Sequence, residues 1–317
     1  MNLTTVQNNA FEYMLKGHNV FLTGPGGSGK TYLLNFFIDY IKKKINLYDY
    51  KYNDKNKNNK LAITSTTGIS AMLINGITLH SWAGVELGDK LVDYYYEKIK
   101  NDKYKLPNWL NTKILIIDEV SMLNPELFQR LDILGRRLRQ CDRPFGGIQL
   151  IVSGDFCQLP TVDTEDYCFE AFNWKEVIDK TFYLKENLRA DGDKIFQDCL
   201  NEIRMGIVTD KTKDLLNSRI KSTIEVNGII PTVLYSRKKK VEEYNEKKLT
   251  GLLNKGIEYR EYRAEYKYNK SISEDYKSFL KTNIDKNQNI KSYLKLCIGC
   301  QVIVNVSIPH EHLVNGS

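Results

Sequence analysis

The octapeptide GPGGSGKT, residues 24–31, sets a lysine and a threonine behind four closely spaced glycines. The spacing satisfies G-x-x-x-x-G-K-[ST], and the stretch follows an apolar run and precedes a helical pattern, the context the motif requires. Gly24, Gly26, Gly27 and Gly29, with Pro25 and Ser28 between them, let backbone N–H groups turn inward around phosphate oxygens. Lys30 would reach the β- and γ-phosphates, and Thr31 would ligate Mg²⁺. A second apolar run, ILIIDE, closes in Asp118 and Glu119. An aspartate there can hold the magnesium shell, and the glutamate beside it can orient and deprotonate a water for attack on phosphorus. Two acids at such a place can also simply cap the next loop; their pairing with Lys30 decides for chemistry. A third run, IQLIVSGDFCQ, closes in Asp155 and Gln158. The Gln158 amide can donate to a γ-phosphate or to the attacking water, which makes it a candidate reporter of nucleotide state. ATP and Mg²⁺ are the ligands this set implies, with Lys30, Glu119 and Gln158 as the catalytic candidates and Asp118 with Thr31 as the metal ligands. The acid pair favours hydrolysis over phosphoryl transfer to an organic acceptor, which speaks against a P-loop kinase.

These groups can meet only if the elements behind them form one sheet. NVFLTG, LAITS (61–65), ILII (114–117) and IQLIV (148–152) read as strands, and residues 31–45 as a helix with Leu34, Ile38 and Ile41 spaced for burial. Residues 1–17 read as a short helix with Val6, Ala10 and Met14 on one face. Asn124 as N-cap, Pro125 at the first helical position and Glu126 in the first turn open another, whose inner stripe is Leu127, Leu131, Leu134 and Leu138. Strands alternating with helices predict an α/β, doubly wound parallel sheet, in which ligands bind outside the carboxyl ends of the strands. If the strand through Ile151 neighbours those leading to Gly24 and Asp118, Asp155 and Gln158 face the same crevice.

A second unit starts near Leu184, with a helix carrying Ile195, Cys199 and Ile203, a strand at TVLYS (232–236), a helix through Val241 and Leu249, a polar stretch at 256–292 and β structure from Leu294. The Lys/Asn/Tyr-rich tract at 46–60 reads as a surface loop or disordered insert. Arg136, Arg137 and Arg139 read as a solvated helix face.

The chain has 317 residues, 42% hydrophobic and 27% charged, in the range of soluble globular proteins. Its net charge of +7 fits a polyanionic partner, but the lysine and asparagine surplus is also what an AT-rich gene would encode, so charge alone decides nothing. No apolar run reaches the length of a membrane span and no secretory signal is visible. Six scattered cysteines then point to free thiols in a reducing, intracellular compartment. Cys297-x-x-Cys300 with His310-x-His312 offers four zinc-competent side chains, but H-x-H lies outside the usual spacing, and zinc is not expected.

The chain resembles the petite-integration-frequency (PIF-type) DNA helicases, superfamily-one motors related to the RecD-type enzymes. The resemblance rests on GPGGSGKT, AITSTTGISAMLINGITLHSWAG (62–84), LIIDEVSMLNPELFQRLDILGRRLR (115–139), PFGGIQLIVSGDFCQLP (144–160) and NLRADGDKIFQDCLNEIRMG (187–206), and continues to about residue 306. It implies P-loop, RecA-like lobes closing on ATP, with single-stranded DNA across both. It further implies unwinding 5′→3′ at duplex junctions, a role in replication, repair, recombination or telomere maintenance, and a place in the nucleus or at a site of viral or cellular DNA replication. Carried over residue by residue, Gln7 matches an adenine-reading glutamine and Arg189 an arginine reaching the γ-phosphate from the second lobe. Thr67 and Gly68 match positions that grip DNA phosphates, and His80, Ser81 and Trp82 a segment lining the strand's path. Trp82 taken alone reads instead as a core tryptophan. The family segment matching Cys297 and Cys300 is a plain strand.

The domains expected are a first RecA-like lobe at 1–183, a partial second lobe at 184–255, and a mobile linker with the start of a small β-barrel insertion at 256–317. Ala190 departs from the family's usual glutamine. The last two helicase blocks would follow LVNG, and the sequence stops at Ser317 before them. A separate polypeptide is the candidate source of those blocks, and an ATP- and DNA-binding chain that does not unwind is the alternative function.

Overall fold

The computed structural model describes residues 3–52 (45–52 by backbone alone), 60–161, 164–185, 193–220, 231–267, 273–274, 277–278, 281 and 292–303. The chain forms two compact units, Met1–Ile220 and Lys221–Ser317.

The first unit is built on a six-stranded parallel sheet. Its strands are β1 (Val20–Thr23), β2 (Leu61–Ser65), β3 (Ile77–Thr78), β4 (Ile114–Asp118), β5 (Gln149–Gly154) and β6 (Lys180–Tyr183), in the order β3-β2-β4-β5-β1-β6. Helices α1 (Thr5–Leu15), α2 (Lys30–Tyr52), α3 (Gly68–Leu73), α4 (Leu79–Ala83), α5 (Val92–Lys100), α6 (Leu106–Asn111), α7 (Pro125–Arg139), α8 (Trp174–Val177), α9 (Lys194–Arg204) and α10 (Asp210–Ser218) accompany it.

Successive strand residues point to opposite faces, and here both faces are covered. Val20, Leu22, Ile116 and Ile151 pack with Ala10 and Met14 of α1 and Leu33, Leu34, Phe37 and Ile38 of α2. Their neighbours Phe21, Leu115, Ile117, Leu150 and Val152 pack on the other side with Leu79, Trp82, Trp109, Leu127, Phe128, Leu131 and Leu134. Two-sided burial is why these strands read as unbroken apolar runs. Helix α7 starts where its signals place it: the Asn124 side chain accepts from Leu127 N at 2.7 Å, and Leu127, Leu131, Leu134 and Leu138 are buried.

Several local expectations give way to the structure. In α1 the buried face is Gln7, Ala10 and Met14, while Val6 is exposed. A capping box at Thr4, in which the Gln7 side chain accepts from Thr4 N, turns Gln7 inward. The tract at 46–60 is not all loop: α2 runs on to Tyr52, since no glycine or proline interrupts it after Lys30. Residues 53–59 lie outside the described residues. The short β3 and the largely exposed edge strand β6 carry too little apolar signal to be read in advance.

Of the three arginines read as a solvated face of α7, Arg137 is exposed, whereas Arg136 and Arg139 are half-buried. Arg136 Nε lies 3.1 Å from both oxygens of buried Asp132, which also accepts from Phe145 N at 2.6 Å and Asn173 Nδ2 at 3.0 Å. Arg139 donates to the carbonyls of Gly146 at 2.6 Å and Thr112 at 3.1 Å, and Arg137 lies over the Tyr96 ring at 4.3 Å and pairs with Asp93. They gather carbonyls and acids from neighbouring segments onto the end of α7.

The first unit also extends past residue 183, through α9 and α10 to Ile220. Of the predicted inner stripe of α9 only Cys199 is buried; Ile195 and Ile203 are exposed.

In the second unit, α11 (Lys238–Leu253) precedes an antiparallel pair of strands, β7 (Tyr259–Arg263) and β8 (Tyr293–Cys297), in register from Tyr259↔Cys297 to Arg263↔Tyr293. The stretch 232–236 is not a strand: Val233 and Leu234 are exposed, and no strand among the described residues pairs with them. The polar stretch after residue 256 does supply β7, whose tyrosines suit a strand despite its charge. Cys297 Sγ and Cys300 Sγ lie 3.3 Å apart, and His310 and His312 fall outside the described residues. Among the described residues no helix is long and apolar enough to cross a membrane.

Candidate nucleotide site

The sheet sets the strand that leads to Asp155 between those that lead to the glycine-rich loop and to Asp118. Strand β5 pairs in parallel with β1, Thr23 opposite Gly154, and with β4, Ile117 opposite Val152. Asp155 and Gln158 therefore leave the sheet between the glycine-rich loop and the Asp118-Glu119 pair.

The loop is shaped by backbone only glycine tolerates. Gly24 has φ +146°, and a Cβ there would meet the Leu184 carbonyl oxygen at 2.2 Å. Ser28 Oγ is buried inside the loop without a hydrogen-bond partner. Lys30 folds back over the loop, its Nζ donating to Gly24 O at 2.8 Å and Pro25 O at 3.1 Å. Burial draws the Lys30 pKa down, and Asp155, Glu119 and Asp118, in that order, push it back. Thr31 lies half-buried in the first turn of α2. Gln7, 1% exposed, donates from Nε2 to Gly29 O at 3.4 Å, so α1 is fastened to the loop.

At the end of β4, burial raises the Asp118 pKa against the opposing pull of Ser153 and of Glu119 N, which donates to Asp118 Oδ1 at 3.0 Å. Burial raises the Glu119 pKa too, and the charge of Asp118 adds to it. Glu119 has left-handed backbone, φ 55° and ψ 44°, a conformation that costs a non-glycine residue about 1–3 kcal/mol. Thr66 Oγ1 helps to hold it there, donating to Glu119 O at 2.8 Å, while Ser65 Oγ donates to Asp118 O at 3.0 Å. A desolvated carboxylate with a raised pKa is a better proton acceptor than one in water. Desolvated acids facing one lysine also suit a divalent cation, which Asp118 and Thr31 would hold and which would neutralise charge on a phosphate.

One residue of this site was not singled out from the sequence. Arg204, at the end of α9, forms a two-pronged ion pair with Asp155: Nη2 to Oδ1 at 2.7 Å and Nε to Oδ2 at 3.0 Å. Forty-nine residues separate the two, and nothing in the local pattern of α9 marks this arginine. Gln158 Nε2 donates to the same Asp155 Oδ2 at 3.1 Å and would lie 3.8 Å from a Cβ placed on Gly26. The candidate Arg189 lies outside the described residues.

The nucleic-acid candidates divide in two. Thr67 caps α3, accepting from Ser70 N at 3.2 Å, and Gly68 is exposed with open space where a side chain would be. In α4, Trp82 is 3% exposed, tilted against Trp109 at 4.7 Å between ring centroids. It offers no free ring face to a base; this is the core reading of that residue. Ser81 is exposed, and burial lowers the His80 pKa and keeps that ring neutral near pH 7.

Residues 2–214 match the family model of the PIF1-like helicases. The chain is 36% identical over 308 residues to the ATP-dependent DNA helicase RRM3 of Saccharomyces cerevisiae, covering 95% of this chain and 39% of that protein. The chain thus spans well under half of that relative. The crystal structure of the Pif1 helicase from Candida albicans is similar over 100% of this chain and 68% of its own, with TM-score 0.84 and 34% identity. The crystal structure of the Pif1 helicase from Bacteroides in complex with ADP-AlF3 and ssDNA is similar over the same shares, with TM-score 0.70 and 27% identity.

Proposed function

Because the chain belongs to the PIF1-like helicase family, we propose that it carries the ATP-hydrolysing lobe of a DNA helicase that moves along single-stranded DNA, 5′→3′, toward duplex junctions. The observation that carries this reading is the position of β5 between β1 and β4, which sets Lys30, Asp118, Glu119 and Gln158 around one crevice.

On this reading the adenine ring lies toward Gln7 and the phosphates toward the loop. Lys30 releases the Gly24 and Pro25 carbonyls and takes phosphate oxygens in their place. The Ser28 hydroxyl and the loop N–H groups add donors. Asp118 and Thr31 would hold Mg²⁺, which when bound would supply positive charge to the phosphates. Glu119 draws the proton from the attacking water, an in-line displacement that needs positioning and charge stabilisation more than covalent help. Gln158, lying over Gly26, reports the γ-phosphate. Thr66 and Ser65, bonded to the Glu119 and Asp118 carbonyls, connect the acid pair to Thr67 and Gly68, the phosphate-gripping candidates. Arg189 serves as a γ-phosphate contact. Replication, repair, recombination and telomere maintenance are the processes such a motor would serve.

Steady-state ATP hydrolysis with and without single-stranded DNA tests this reading. A motor lobe is stimulated by DNA, and Lys30→Ala abolishes the stimulated rate while leaving the thermal transition in place. Hydrolysis that ignores DNA, or survives Lys30→Ala, overturns it.

A further inference from the structure

The side chain that holds Asp155 comes from outside the three motifs. Asp155 is 1% exposed, and each of its carboxylate oxygens receives two donors. Oδ1 takes Arg204 Nη2 at 2.7 Å and Cys157 N at 3.1 Å; Oδ2 takes Arg204 Nε at 3.0 Å and Gln158 Nε2 at 3.1 Å. A carboxylate has about four acceptor directions, so this one is full. Arg204 is itself well covered, and its Nη1 reaches the Tyr183 hydroxyl at 3.3 Å, so the fork is tied to the end of β6 as well.

Two cations feel the charge of the buried anion, and only Arg204 bonds it. Lys30 senses Asp155 more than any other acid, yet its ammonium rests on two neutral carbonyls rather than on that carboxylate. A buried carboxylate left without its partner is severely penalised and draws in the nearest cation. That cation would be Lys30. With Arg204 present, Lys30 has only weak acceptors to give up when phosphate arrives.

From this geometry we infer that Arg204 is a positioning residue of the nucleotide site: it satisfies Asp155 so that Lys30 stays free for phosphate, and through the shared Oδ2 it fixes where the Gln158 amide points. The inference rests on the reading of the loop as an ATP site. Guanidinium is the suited group because its planar fork fills both oxygens at once while remaining charged. It also gives α9, which the sequence assigned to another lobe, a direct hold on the exit of β5.

The test is a cycle of variants of the full chain, read by equilibrium binding of a fluorescent ATP analogue with Mg²⁺ and by thermal melting. Arg204→Gln is expected to weaken binding on the order of tenfold. Adding Asp155→Asn removes the orphaned charge and restores binding to within about threefold of the parent, since the asparagine no longer captures Lys30. Arg204→Lys, which keeps the charge but loses the fork, retains binding while lowering the DNA-stimulated rate through Gln158. Unchanged binding in Arg204→Gln overturns the inference, and so does a double variant no better than the single one. If Arg204→Gln does not fold, the double variant and Arg204→Lys decide by the same criteria. A parent chain that does not bind the analogue at all, or binds it equally after Lys30→Ala, fails the ATP-site reading instead.

Discussion

The exits of β1, β4 and β5 and the α4 segment are both lined by residues that the family resemblance marks, yet they are held by opposite physics. At the strand exits Asp118 and Asp155, with Gln7 of α1 beside them, are polar yet under 5% exposed and fastened by hydrogen bonds, while Lys30 and Glu119 are half-buried and Gln158 is exposed. In α4 the marked aromatic, Trp82, is fastened by ring packing on Trp109, and its marked neighbour Ser81 faces solvent. Polar groups are buried at a cost unless each finds a partner, so their burial at one point signals chemistry. A buried tryptophan needs no such explanation, because burial is what its area favours.

Substitutions can break this comparison, and the largest effect falls at the acid pair. Glu119→Gln keeps the shape but cannot take a proton; it is expected to bind ATP as the parent does and to lose about 10²–10⁴-fold in single-turnover hydrolysis. Turnover at the parent rate would remove Glu119 as the base. Trp82→Ala comes next, in stability rather than in chemistry. It is expected to cost about 3–5 kcal/mol in denaturant unfolding, whereas Ser81→Ala changes stability by less than about 0.5 kcal/mol. Equal effects at the two positions would mean that α4 is not anchored by its indole.

Thr66 sharpens the comparison because it bonds the acid pair from the segment that leads into Thr67 and Gly68. Thr66→Val deletes the donor to Glu119 O and is expected to cost about 1 kcal/mol of stability, with a larger fall in DNA-stimulated than in basal hydrolysis. Equal falls in both rates would limit Thr66 to holding the Glu119 backbone. The smallest effect belongs to His80. Its pKa is lowered by burial, so the folded state resists protonation more than the unfolded chain does. Stability from this residue is complete above the unfolded histidine value near 6.5 and declines as pH falls through the folded value. His80→Gln should flatten that decline in melts taken from pH 7.5 to pH 5. The same neutrality predicts that His80→Gln leaves the salt dependence of single-stranded DNA binding unchanged, since a neutral ring releases no counterion.

Much of the first unit was legible because its signals are local. The strand at 61–65, the Asn124 cap and the leucine stripe of α7 depend on residues a few positions apart. The same locality failed where a neighbour in space, not in sequence, set the outcome. Arg136 and Arg139 look solvent-bound until Asp132 and the Gly146 carbonyl are brought beside them. The run 232–236 looks like a strand until no partner strand is found for it among the described residues.

The sequence by itself determined which groups could handle phosphate and how the backbone around them must turn. The glycines of residues 24–31 permit the positive φ angles that the loop takes at Gly24, Gly27 and Gly29, and the apolar runs encode strands that lead to Asp118 and Asp155. What only the tertiary structure decided was the company these groups keep. Strand order is a matter of long-range pairing, so the place of β5 between β1 and β4 could be posed as a condition but not read. The arginine that neutralises Asp155 sits 49 residues along the chain, where one charged side chain at a helix end looks like any other until the fold desolvates its partner.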